Sequence, residues 1–211
     1  MQALFLKDSP QAYYVHCFAH KLQLALVAAA ESETSIWLFF SKMSVIVNLI
    51  KVSPKRHTEL QSAQAIEVAE MVATGERDTG RGANQLGTLQ RAGKTRWSSH
   101  FDMTCSLIDM FGAVITVLGH MVIEASSNSV RGEAAGSLEK MKTFDFVFIL
   151  HLMNKTLGIT DLLCKALQQK SLDIFNAMRF VRSTKGFLNT LRSDGFAIHL
   201  EHICAFCLSQ T

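Results

Sequence analysis

The chain has 211 residues, 48% hydrophobic and 18% charged, with a formal net charge of +3 at pH 7. That balance excludes an intrinsically disordered chain and leaves room for one sizeable core. Two prolines and 12 glycines argue against a turn-rich β-sandwich and for long helices.

The five cysteines Cys17, Cys105, Cys164, Cys204 and Cys207 are odd in number and irregular in spacing. Reduced thiols are therefore expected, not a secreted disulfide framework. Met1–Asp8 lacks the basic start and apolar run of a signal peptide. The longest apolar runs, such as Leu24–Ala30 and Phe146–Leu150, fall short of the roughly 20 residues that cross a bilayer. The expectation is a soluble chain of the nucleus or cytoplasm, neither secreted nor membrane-bound.

Gln2–Lys7 reads as the end of a helix, followed by a turn at Asp8-Ser9-Pro10 and a short β-prone segment at Tyr13-Tyr14-Val15. From Cys17 to Ala30 the period becomes helical, with Phe18, Leu22, Leu26 and Ala29 on one face. A second helix is expected over Thr34–Lys51. Ser53-Pro54 then marks the start of a third, more polar helix reaching Ala73. Gly75–Gly93 carries five glycines along with Arg77, Arg81 and Arg91, and reads as the one long loop. Beyond it the periodicity predicts a long helix over Ser98–Ala125 and a small polar linker over Ser126–Ser137. Two more long helices follow, Leu138–Gln169 with a break near Gly158, and Ser171–Leu208.

Cys17 and His20 lie three apart and share a helix face, with Cys204-x-x-Cys207 as the one candidate for completing a zinc site. A packed helix start with locally bonded Cys17 and His20 accounts for the first pair more simply, and free cysteines on an apolar helix account for the second. Lys94, Arg96, Trp97 and His100 form a basic, aromatic segment that opens a helix. Lysine and arginine there can meet phosphates, and Trp97 can stack on an unpaired base. The alternative is a helix-initiating loop whose Trp97 packs in the core. Thr79-Gly80-Arg81-Gly82 is not a phosphate loop, because no Gly-Lys-Ser/Thr follows. Asp102, Asp109, Asp145, Asp161 and Asp173 read as scattered helix positions with no convergence, and no active site emerges from the residues.

Two signatures carry a resemblance: Tyr14-Val15-His16-Cys17-Phe18-Ala19-His20-Lys21-Leu22-Gln23-Leu24, and Arg91-Ala92-Gly93-Lys94-Thr95-Arg96-Trp97-Ser98-Ser99-His100. With Ser53-Pro54-Lys55-Arg56, Thr79–Gln85, Leu157-Gly158-Ile159-Thr160 and Asp173–Met178, the chain resembles hAT-type DNA transposases of the plant zinc-finger MYM-type/TTF-type group. The resemblance implies a mainly α chain. Residues 1–31 would be a partial RNase H-like remnant of one strand plus a helix. Residues 32–211 would be the all-helical insertion domain, with a Gly-rich basic loop at 75–97.

The family implies three acidic residues that hold two divalent metal ions. Its Cys-x-x-His helix, here Cys17 and His20, lies near that site. Its Arg-Trp segment, here Arg96 and Trp97, handles flipped or hairpin DNA ends. The resemblance implies, as an expectation, that the chain starts after one catalytic acid and stops before another, and Lys94 stands where relatives usually carry Asp. A two-metal site needs its carboxylates, so no strand cleavage, metal or other cofactor, or small-molecule substrate is expected. The expectation is a truncated, inactive transposase-like protein with residual DNA binding through Lys94, Arg96, Trp97 and His100. The alternative is a helical interaction module that pairs with itself or with transposase-like proteins.

Overall fold

The computed structural model describes residues 7–9, 11, 17–75, 86–93 and 97–210. Among them are nine helices and no β-strand, which bears out the mainly α expectation. They are α1 (Phe18–Ser32), α2 (Thr34–Lys51), α3 (Pro54–Ala73), α4 (Ser98–Asp109), α5 (Phe111–Glu124), α6 (Asn128–Met141), α7 (Phe144–Leu167), α8 (Ile174–Ser193) and α9 (Phe196–Ser209). The strand expected at Tyr13–Val15 lies outside the described residues, as do Lys94 and Arg96.

The core forms where the apolar stripes of α2, α4, α5 and α7 meet. α2 supplies Phe39, Phe40, Met43, Ile46, Val47, Leu49 and Ile50, at steps of three and four that keep one face inward. Each such fully buried side chain contributes about 1.5–3 kcal/mol relative to exposure. Met103 and Leu107 of α4, Val114, Leu118 and Met121 of α5, and Phe146 and Leu150 of α7 complete this core. A smaller cluster of Ala19, Leu163, Cys164, Leu167 and Ala177 joins α1, the end of α7 and α8.

Helix ends follow local chemistry. Pro54 sits in the first turn of α3, and Gly75 closes that helix at φ 76°, the left-handed region glycine favours. The Thr143 hydroxyl accepts the Phe146 N–H to start α7, and the Asp173 carboxylate accepts the Asn176 N–H at 2.8 Å to start α8.

Several boundaries differ from the sequence expectation, among them the start of α7 at Phe144 where a helix from Leu138 is expected. The single helix over Ser98–Ala125 is two, bent by 77° at the buried Met110. The linker over Ser126–Ser137 is mostly helix α6, whose Ala134, Ser137 and Met141 pack inward at helical spacing. No break falls at Gly158. Instead the glycine lets α7 approach α4, where an added Cβ would come within 3.1 Å of the Phe101 ring. Ser171–Leu208 divides at Asp194-Gly195 into α8 and α9.

The expectation of a soluble, non-membrane chain of nucleus or cytoplasm is overturned by helix length. α2 and α7 are each long and apolar enough to cross a membrane, and the bent pair α4–α5 adds a third if it counts as one span. Neither helix contains a long uninterrupted apolar run. Mean hydropathy over a helical window stays high even when Ser, Thr, Asn and a few charges are interspersed. Thirty-nine per cent of each of these two windows is buried inside the fold.

Candidate functional site

Trp97 opens α4 and is only 7% exposed. Its ring stacks on His100 at 4.5 Å and 11°, and meets Phe40 edge-on at 5.3 Å. Phe40 continues to Phe39, and Phe39 to Phe146, so the aromatic contact runs from the loop end into the main core. The backbone N–H of Trp97 donates to Gln23 Oε1 at 2.5 Å, and Gln23 Nε2 donates to Cys164 Sγ at 3.1 Å. One glutamine therefore ties α1 to the start of α4 and to α7.

His100 covers one face of the Trp97 ring and Phe40 packs edge-on beside the stacked pair, so Trp97 is held largely inside the fold. An edge of the pair lines a shallow cleft of about 470 Å³ with Val27, Trp37, Asn48 and Glu31. The loop end just before it is anchored. Lys51 Nζ donates to Leu89 O at 2.7 Å, the Gly87 N–H to Gln64 Oε1 at 2.9 Å, and the Gln90 N–H to Ser106 Oγ at 2.9 Å.

Cys17 and His20 stand exposed at the start of α1; Cys204 is exposed on α9 and Cys207 half-buried there. Among the described residues no three His, Cys, Asp or Glu side chains come together as a metal-holding group.

Two further sites escaped the sequence. The first is an acidic cleft of about 1140 Å³ lined by Glu67 and Glu70 of α3 and Asp102 and Asp109 of α4. Asp102 and Asp109, read as unrelated positions, thus share one cavity. Burial, reinforced by Glu70, raises the Glu67 carboxyl above the usual carboxylate range.

The second is an apolar groove of about 970 Å³ walled by α1, α7 and α8. Its floor is the smaller core cluster, with Leu163, Leu167 and Ala177 nearly fully buried. Phe18, Leu22, Met178 and Val181 form its sides, and Lys21, Arg182 and Lys185 its charged rim. α8 buries only Ala177 fully, while Ile174 is 66% exposed, Phe175 76% and Met178 61%. A helix so amphipathic with so much of its apolar surface open to solvent is the usual mark of a binding surface. That α8 is a helix was visible in the sequence; that α7 and α1 leave much of its apolar side exposed was not.

No protein-family model matches the chain, and no solved structure matches it.

Proposed function

We propose that this chain is a helical protein-interaction module, with the groove between α1, α7 and α8 as its working surface. The observation that carries this reading is the exposed apolar face of α8 above a floor of buried Leu163, Leu167 and Ala177. Monomer surfaces rarely leave large contiguous apolar patches uncovered without a role for them. The hAT-type resemblance supplies the class of partner: transposase-like proteins, with which the module hetero-oligomerises without itself performing strand transfer. Size-exclusion chromatography with light scattering, on the purified chain mixed with an intact hAT-type transposase, tests it. A co-eluting complex that Met178→Glu abolishes supports the reading; separate elution at high concentration overturns it.

A second reading keeps DNA contact at Lys94, Arg96, Trp97 and His100. It is supported by the Trp97–His100 pair lining the 470 Å³ cleft. Arg96→Ala is the variant that tests it, since Trp97→Ala removes a core side chain at a cost of about 3–5 kcal/mol. Unchanged affinity of Arg96→Ala for a hairpin oligonucleotide overturns this second reading.

A further inference from the structure

Resting on the interaction-module reading, we infer that the groove between α1, α7 and α8 receives an acidic amphipathic helix of a partner protein. The shape comes first. An α-helix with its side chains is about 10–12 Å across and rises 5.4 Å per turn, so about 970 Å³ accommodates roughly two turns. Leu163, Leu167 and Ala177 at the bottom suit apolar anchors spaced three and four apart on such a helix.

The charge is one-sided. Lys21, Arg182 and Lys185 line the groove, and among the described residues no carboxylate does. None of the three forms an ion pair with Asp or Glu among the described residues. α8 as a whole carries Arg179, Arg182, Lys185 and Arg192 and no acidic residue. The comparable apolar groove between α2, α6 and α7 is lined by Lys42 and Lys140 but also by Glu139 and Asp145, so it selects no sign of charge. Glutamates and aspartates flanking the apolar stripe of an incoming helix would meet the Lys21, Arg182 and Lys185 rim, giving register and salt-dependent attraction.

Other occupants fit less well. A second copy docked by two-fold symmetry brings its own α8 cations against the first set. A bilayer surface takes up a convex apolar ridge, whereas Leu163, Leu167 and Ala177 lie at the bottom of a concavity.

The test is fluorescence anisotropy with a labelled amphipathic helical peptide of Leu, Ala and Glu, against the same peptide with every Glu replaced by Lys. The Glu peptide is expected to bind at least about tenfold more tightly and to weaken as salt rises. Arg182→Glu combined with Lys185→Glu should reduce its affinity about tenfold or more. Gly186→Trp should abolish binding by filling the groove. Gly186 has open space around its Cβ direction and sits mid-helix, so losing the glycine does not threaten the fold.

Equal binding of both peptides, or binding that survives Gly186→Trp, overturns the assignment. So does a dimer that Gly186→Trp dissolves, which makes a second copy the occupant. Binding to phosphatidylserine vesicles but not to the Glu peptide overturns it in favour of a lipid surface. Co-elution with a transposase without peptide binding overturns the acidic-helix assignment alone. Loss of both overturns the interaction-module reading as well.

Discussion

The Gln23 side chain accepts the backbone N–H of Trp97 at 2.5 Å, across 74 positions of sequence. Two segments that look independent in the sequence are thereby one structural unit: the apolar helix α1, which carries Gln23, and Trp97 at the start of α4. Gln23→Ala leaves the Trp97 N–H without its acceptor inside the fold, an omission that costs about 1–3 kcal/mol. Urea denaturation should show that loss. In a Trp37→Phe background, which removes the exposed tryptophan, Trp97 emission should shift to the red. Wild-type stability with unchanged emission would contradict the bridge.

Two glycines on exposed and packed helix faces should respond oppositely to alanine. Gly186 has open space around it, so Gly186→Ala should stabilise by about 0.5–1 kcal/mol through helix propensity. Gly158→Ala pushes a methyl group to within 3.1 Å of the Phe101 ring, an overpacking that costs about 1–3 kcal/mol. Thermal denaturation of the two variants side by side checks this; equal stabilisation would mean α4 and α7 do not approach closely there.

Acid should loosen the contact between α7 and α9. His151 of α7 packs edge-on against Phe206 of α9 at 4.6 Å, and neither His151 Nε2 nor His199 Nε2 has a hydrogen-bond partner among the described residues. Burial, then the neighbouring His199, holds His151 below the usual histidine range. Burial, Lys155 and His202 do the same to His199. The unfolded chain therefore binds more protons near its ordinary histidine pKa of about 6.5. The stability from these groups is complete above that pH and is lost as pH falls through the folded values. Melting temperatures from pH 8 to pH 5 should decline below about pH 6.5, and His151→Phe should flatten the decline. Parallel curves for the two proteins would contradict it.

The Glu67 carboxylate carries the opposite sign. Its folded pKa lies above the unfolded value, so the folded state binds the extra proton and stability falls as pH rises through that window. Glu67→Gln should therefore raise the melting temperature at pH 7, by a few degrees at most, and lose that advantage as pH approaches about 4.5. A lower melting temperature at pH 7 would indicate that the carboxylate is instead stabilised in its acidic cleft.

Local signals were legible where they act locally. Thr34–Lys51 and Pro54–Ala73 have the bounds the sequence predicts, because their apolar period and the Ser53-Pro54 punctuation lie within the segment itself. What failed depended on neighbours. Nothing in Ser98–Ala125 announces a 77° bend at Met110, which follows from seating α4 on α7 and α5 on α3 and α6. α6 reads as a linker in the sequence because its inward positions, Ala134 and Ser137, are small. They suit close approach to α5 and add little to a hydropathy pattern. For Trp97, phosphate-binding and core-packing loops draw on the same residue types, so its place beside Phe40, His100 and Gln23 was not legible. The groove is a relationship among three helices far apart in sequence, and no segment carries it alone.

Hydrogen–deuterium exchange of the chain alone and mixed with an intact hAT-type transposase tests the interaction-module account most directly. Slowed exchange confined to residues 18–22, 163–167 and 174–189, with residues 86–93 and 97–100 unchanged, is the predicted result. No slowing anywhere, or slowing centred on Trp97 and His100 while α8 exchanges as before, would contradict it.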